Sequence, residues 1–314
     1  MEREWPVRIA SDFFDGALEM REAFEARFRD PRHLRPDRFA WDFWHVADQY
    51  TYLRTSAQRF FSRPLFTRFA IRLAMWGRDH LGCPRIQAPW LSYYVDGCRQ
   101  ELHTDVPHGP WAYIFSLTDW EHRRFRGGET LLLEPWCLEY WRHYDVARSS
   151  ELSSLVRLIP ARFNQLTVLD PRIPHGVRRV EGTQDPVGSR VVLHGWFEEP
   201  ALTLSPGLEQ AGGASVVSAA LEALAERLGA IHDVAGLVSA RIRVDAGGGV
   251  DEIAVLTDTL VSRRMDATGP EAVRRLVRGC LAGLRFRSGT PGWAIVPVRL
   301  GRAKGTDPCE GGGS

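Results

Sequence analysis

The stretch Gln100-Glu101-Leu102-His103-Thr104-Asp105-Val106-Pro107 decides how the first two thirds of this chain is read. On an extended strand, residues i and i+2 project from the same face. His103 and Asp105 then stand side by side, an imidazole and a carboxylate on one surface. A second imidazole would complete a facial 2-His-1-carboxylate site, which leaves coordination positions open on a metal ion. His175 is the best candidate, in Asp170-Pro171-Arg172-Ile173-Pro174-His175-Gly176-Val177, just after a strand-like run. An isolated His-x-Asp is commonplace, and its plain meaning is a histidine hydrogen bonded to a carboxylate. Three further features, in order, make the pattern specific. Gly127-Gly128-Glu129-Thr130 opens a strand, His175 lies 70 residues beyond Asp105, and Arg190 begins the run Arg190-Val191-Val192-Leu193-His194-Gly195-Trp196-Phe197.

Around this stretch the pattern is of short β-type runs separated by Gly and Pro: Trp90–Val95, Ala112–Leu117, Thr130–Leu133, Leu166–Leu169 and Arg190–Phe197. Many short strands with turn signals indicate a sandwich or barrel. The first 80 or so residues read as helical, with an apolar stripe over Asp15–Phe28 and a second apolar set from Phe60 to Leu73. Leu138–Leu158 reads as an amphipathic helix inserted among the strands.

These motifs resemble the prolyl 4-hydroxylase-type branch of the iron(II)/2-oxoglutarate dioxygenases, which fold as a double-stranded β-helix, or jelly roll. The matching residues are Tyr93-Tyr94-Val95-Asp96-Gly97, His103-Thr104-Asp105, Gly127-Gly128-Glu129-Thr130, Pro174-His175-Gly176-Val177, and Arg190 six residues before Trp196-Phe197. The resemblance implies a mainly β fold with a helical N-terminal support over 1–85 and a jelly-roll core over about 86–198. It implies His103, Asp105 and His175 as ligands of Fe(II), with no catalytic residue beyond the metal centre. It implies Arg190 as the clamp for the far carboxylate of 2-oxoglutarate, a task a bidentate guanidinium suits. Many relatives use Lys there, but the only Lys of this chain is Lys304. Arg178 and Arg179 are the competitors for that role. The family often has a Tyr near the cosubstrate, and Tyr93 occupies the corresponding place. His194 shares strand parity with Arg190 and is a candidate for hydrogen bonding to substrate or cosubstrate. The implied reaction consumes O2 and 2-oxoglutarate and releases succinate and CO2 as a peptide or small molecule is hydroxylated, with ascorbate as reductant. Asp105 argues against a halogenase, in which a small residue replaces the carboxylate. Two alternatives stay open: a cupin-type metalloenzyme that needs no 2-oxoglutarate, and a non-catalytic binding module.

The rest of the sequence sets bounds. Of the 33 Phe, Trp and Tyr, all but Phe286 and Trp293 precede residue 201, and glycine runs the other way. A domain boundary is expected near residue 204. Beyond it, the order ββαβ with a flanking helix resembles the C-terminal domain of TonB-type energy transducers. The resemblance implies a small α+β accessory domain over 205–304 and a protein partner for it; 305–314 reads as a flexible tail. A net charge of +1 leaves no electrostatic footprint for nucleic acid. No apolar run approaches the length of a membrane span. The five cysteines are scattered, which with the absence of a secretory signal gives the expectation of a reduced, cytoplasmic protein.

Overall fold

The computed structural model describes residues 6–29, 41–106, 108–139, 151–231, 233–262 and 268–301. They divide into two units, Met1–Met75 with Arg85–Glu198 and Trp76–Pro84 with Glu199–Ser314. The expected tail lies outside the described residues.

The first unit begins with β1 (Val7–Ala10), α1 (Ala17–Glu25), β2 (Asp42–Val46), β3 (Tyr50–Ser56), α2 (Ala57–Phe60) and α3 (Arg63–Leu81), whose last residues count with the second unit. Then follow β4 (Trp90–Tyr94), β5 (Arg99–His103), β6 (Trp111–Ser116) and β7 (Thr130–Leu133). After them come α3's short successor α4 (Leu152–Leu155), β8 (Val156–Ile159), β9 (Leu166–Leu169), β10 (His175–Val177) and β11 (Arg190–Phe197). Eleven strands join in the order β1-β9-β6-β11-β4-β3-β5-β10-β7-β8, with β2 added to β3. Every pairing is antiparallel, and sequence neighbours are mostly not sheet neighbours. The joint between β3 and β5 is short, Tyr50 opposite Gln100 and Thr51 opposite Arg99. There the sheet curls, so that side chains of β5, β10 and β7 line the same pocket as those of β6, β11 and β4. This is the jelly-roll fold expected from the sequence.

Strand β11 explains why the barrel holds together. Val191 and Leu193 are fully buried on one face and Arg190 and Val192 on the other. The outer face is covered by helix. Leu65, Phe69 and Leu73 form a buried stripe on α3, the spacing that an amphipathic helix turns toward a core. Phe69 packs on Phe115 of β6 with ring centroids 4.9 Å apart. Burying such a side chain contributes about 1.5–3 kcal/mol.

Two helical expectations are corrected. Residues 42–56 form the β2–β3 hairpin, not helix: Trp44, Tyr50, Tyr52 and Thr51 are aromatic or β-branched, types that pack on a pleated surface. At the expected helix over 138–158, β8 pairs with β7 instead, Ile159 opposite Thr130 and Val156 opposite Leu133. Residues 140–150 of that stretch lie outside the described residues. The Gly127-Gly128 pair has a structural cause. Both residues have positive φ, 76° and 79°, and a Cβ on Gly127 would strike the Arg179 carbonyl. The long connection from His175 to Arg190 also has one. Its residues clasp the β4–β5 turn: Asp96 N–H donates to Thr183 O (2.6 Å), Gly97 N–H to Val180 O (2.9 Å), and Gly182 N–H to the Asp96 carboxylate (2.8 Å).

The second unit is α+β. Strands β12 (Thr203–Leu204), β13 (Val234–Val244), β14 (Val250–Asp258), β15 (Val261–Ser262) and β16 (Gly292–Leu300) form its sheet, in the order β12-β16-β13-β14 with β15 on β13. Helices α5 (Pro206–Gln210), α6 (Gly213–Leu228) and α7 (Thr268–Ala282) accompany it. Val217, Leu224, Val273 and Val277 pack against Ala240 and Ile242 of the sheet. The expected glycine hairpin is present: Gly248 N–H donates to Asp245 O (3.1 Å) and Asp245 N–H to Gly249 O (2.9 Å). No helix among the described residues is long and apolar enough to cross a membrane. Cys83, Cys98, Cys137 and Cys280 are free thiols.

Candidate metal centre and its pocket

His103 is the last residue of β5, and His175 the first of β10, directly opposite it in the antiparallel ladder. Their rings lie 4.7 Å apart between centroids. Asp105 arrives differently from expected. The strand ends at His103, so strand parity does not carry Asp105; instead its N–H donates to Pro171 O (3.0 Å), which ties it to the loop before His175. One ligand-type atom from each of His103, Asp105 and His175 falls within 4.8 Å of the others. Among the described residues this is the one such His/Cys/Asp/Glu cluster found.

The hydrogen bonds around the two imidazoles set their tautomers. His103 Nδ1 lies 2.8 Å from Glu101 O and His175 Nδ1 lies 2.9 Å from Ile173 O. A carbonyl only accepts, so each Nδ1 carries the proton and each Nε2 presents a lone pair. Both Nε2 atoms face Asp105, at 3.5 Å from Oδ1 for His103 and 3.3 Å from Oδ2 for His175. Fixing the tautomer through the far nitrogen is the usual support of a metal-binding histidine. Burial pushes the Asp105 carboxyl up, but the imidazoles beside it, when protonated at Nε2, outweigh this: a hydrogen bond from His175 and the fields of His175, His103 and His108 hold it below the ordinary value. Trp196 Nε1–H donates to Asp105 Oδ2 (3.2 Å) and orients it further. Three ligand atoms of this kind fit a divalent transition metal with open positions.

The trio lines a pocket of about 320 Å³. Arg190 enters it from β11, 1% exposed. Its guanidinium lies 4.6 Å from the Tyr94 ring, and Nη2 donates to Thr130 Oγ1 (3.3 Å). Nε and Nη1 are buried and make no hydrogen bond. Burial lowers the pKa of Arg190, opposed by Tyr94 and Glu129. A buried donor left unpaired costs about 1–3 kcal/mol, so two on one guanidinium ask for an anionic guest. Arg178 and Arg179 are exposed, and Arg178 faces Glu129 at 3.8 Å. Neither lines the pocket.

Tyr93 is not brought to the pocket; Tyr94 is. The register decides this, because Arg190 lies opposite Tyr94 and Val191 opposite Tyr93. Directly paired residues share a face, so Tyr93 turns outward and packs at 4.7 Å from Trp41 and 6.2 Å from Phe24. His194 lines the pocket. Its Nε2 sits 2.8 Å from Ser92 Oγ, and burial, helped by Arg190, pushes its pKa down to about 4. It is therefore a neutral hydrogen-bonding group near pH 7. His108 is exposed and lies against Trp196, 4.4 Å between rings, outside the His-Asp-His cluster.

Thr130 carries no signal in the sequence beyond its motif. It holds Arg190, and the signal for it was its place at the strand start after Gly127-Gly128. Thr130→Val removes one hydrogen bond worth about 0.5–1.5 kcal/mol. If Arg190 clamps a carboxylate, as the resemblance in the sequence implies for 2-oxoglutarate, the change should weaken that binding roughly two- to tenfold, measured by calorimetry with metal present. An unchanged dissociation constant would show that Thr130 does not orient the clamp.

No family model matches the chain, and no curated protein matches it. Solved structures of similar fold include a prolyl-4-hydroxylase from Pseudomonas putida, 13% identical at TM-score 0.40, covering 62% of this chain and 92% of that one. Another is HygX from Streptomyces hygroscopicus with nickel, 2-oxoglutarate and hygromycin B bound, 15% identical at TM-score 0.40, covering 62% of this chain and 86% of that one. A third is a prolyl hydroxylase from Trichoplax adhaerens in complex with a hypoxia-inducible-factor peptide, 13% identical at TM-score 0.42, covering 62% and 83%. Likeness at this level leaves function to be argued from the side chains. The TonB resemblance of the second unit finds no support in these comparisons.

Proposed function

We propose that this chain is an iron(II)- and 2-oxoglutarate-dependent dioxygenase that hydroxylates a small-molecule or peptide substrate, with ascorbate as an accessory reductant. The observation that carries the reading is the coexistence, in one pocket, of the His103–Asp105–His175 trio and the buried Arg190 with two unpaired donors. A cupin-type enzyme without 2-oxoglutarate has no use for such a clamp, and a binding module has no use for the trio.

When bound, the metal and 2-oxoglutarate supply the oxidising chemistry, with O2 consumed and succinate and CO2 released. The chain's residues supply position and charge. His103, Asp105 and His175 would hold Fe(II) through two Nε2 atoms and a carboxylate oxygen. Arg190 would receive the 5-carboxylate of 2-oxoglutarate on its unpaired edge, backed by Tyr94 and Thr130. His194, neutral and fixed by Ser92, offers a hydrogen bond without adding charge. Trp196 closes the far side and keeps Asp105 from rotating.

Anaerobic addition of Fe(II) and then 2-oxoglutarate to the full chain should produce the visible metal-to-ligand charge-transfer band, and admission of O2 should release succinate. Iron binding without that band, at saturating 2-oxoglutarate, would favour the cupin-type alternative. Failure to bind any divalent metal would leave the binding module.

A further inference from the structure

One side chain in the pocket has no part in that reading. Arg54, on β3, is clasped between two indoles: its guanidinium carbon lies 3.8 Å from the centroid of the Trp44 ring and 4.1 Å from that of Trp90. The three residues come from three adjacent strands. Trp44 is paired with Tyr52 on the β2–β3 ladder, and Trp90 with Ser56 on the β3–β4 ladder. With an indole against it from the strand on either side, the guanidinium is left its edge for polar contacts. That edge is only partly satisfied. Nε is buried and makes no hydrogen bond. The paired carboxylate is Asp42, at 4.0 Å and itself largely exposed, and the Tyr52 phenol takes one hydrogen bond from the guanidinium.

Charge makes the same point. A divalent ion, Asp105, Arg190 and doubly charged 2-oxoglutarate cancel within the pocket. Arg54 remains as the positive group on its wall, matched only by the exposed Asp42 at 4.0 Å. It is not a second hand on the same cosubstrate. Arg190 pairs with Tyr94 on β4, whereas Arg54 pairs with Ser92 from the opposite side of β4. The two arginines are thus two strands apart, on the order of 10 Å at ordinary strand spacing. A guanidinium held rigid by stacking keeps its fork preorganised for a planar anion.

We propose that Arg54 is the substrate's anchor, and that the substrate is an organic monocarboxylate whose carboxylate lies on the free edge of the Trp44–Arg54–Trp90 stack. This rests on the assignment of Arg190 to 2-oxoglutarate. The hydrogen to be removed then belongs to the part of the substrate that reaches from Arg54 toward His103 and Asp105.

The test uses the full chain loaded with Zn(II), which is redox-inert, and with saturating 2-oxoglutarate. It is titrated with a panel of small monocarboxylates, their primary amides and the matching phosphate monoesters, and binding is read by ligand-observed NMR. Carboxylates should bind about tenfold or more tightly than their amides, the scale of a charge-assisted pair. Arg54→Gln should erase the preference while 2-oxoglutarate still binds, which reports an intact barrel. If Arg54→Gln loses 2-oxoglutarate as well, Arg54→Lys decides: a reduced carboxylate preference with the cosubstrate still bound supports the anchor, and an unchanged one overturns it. Equal binding of acid and amide by the unaltered protein, binding of neither, or a preference that survives Arg54→Gln would overturn the proposal. Preference for the phosphate esters would overturn the carboxylate. If the unaltered chain fails to bind 2-oxoglutarate at all, the dioxygenase reading falls separately. The acid–amide comparison is then made in Arg190→Gln, where Arg54 is the remaining arginine of the pocket.

Discussion

Alanine in place of His175 should abolish iron binding and, with it, 2-oxoglutarate turnover. His175 is 7% exposed, its Nδ1 is committed to Ile173 O, and its Nε2 is one of only three protein atoms directed at the proposed metal position. Losing a partner behind a ligand typically costs 10–100-fold in metal affinity. Losing the ligand itself should cost more than about 100-fold. His103→Ala should behave alike. The checks are equilibrium dialysis with Fe(II) under argon and a succinate assay in air. Circular dichroism establishes whether the barrel remains. Full iron occupancy with retained succinate release in either variant would end the assignment of the trio. A further distinction comes from Asp105→Asn. It keeps the shape and the Trp196 hydrogen bond but removes the anionic ligand, so metal affinity should fall while the apo fold is unaffected.

Much of the barrel was legible because its strands carry local signals. Thr130–Leu133, Leu166–Leu169 and Arg190–Phe197 are apolar runs punctuated by Gly or Pro, and each is a strand with those bounds. What was not legible depended on pairing. The choice between Tyr93 and Tyr94 needed the register of β4 against β11, and a shift of one residue exchanges the faces. Arg54 is illegible for the same reason: nothing local brings Trp44, Arg54 and Trp90 together until β2, β3 and β4 lie side by side. The hairpin of residues 42–56 sits between helices in the chain, and its aromatic density has no strand alternation clear enough to set it apart from them. The convergence of His103 and Asp105 was anticipated from strand alternation, yet the structure achieves it past the strand end, through the bond to Pro171 O. Residue type and order carried that part of the site; the backbone path to it came from long-range contacts.

Arg190 supplies the sharpest separation of function from stability. Its guanidinium is fully enclosed, with one hydrogen bond to Thr130, the face of Tyr94 beneath it and two donors unmatched. In the absence of cosubstrate such a group costs stability, since a buried donor left unpaired costs about 1–3 kcal/mol. Arg190→Met should therefore melt no lower than the unaltered apo protein, and higher if Tyr94 and Glu129 compensate the charge poorly. The same substitution should weaken 2-oxoglutarate binding by one to two orders of magnitude, since a lost charge-assisted bond is worth about 1.5–3 kcal/mol at about 1.4 kcal/mol per decade. Iron affinity should change little, because Arg190 is not among the three atoms facing the metal position. Arg190→Lys should recover part of the cosubstrate affinity: it keeps the charge and loses the fork. Thermal melts of apo protein, together with charge-transfer titrations of iron-loaded protein, give both quantities on the same samples. A structural arginine would show the opposite pattern, a large fall in melting temperature with 2-oxoglutarate affinity preserved in whatever protein stays folded. Equal cosubstrate affinity in Arg190→Met and the unaltered chain would move the clamp elsewhere, to Arg54 first, the one other arginine lining the pocket.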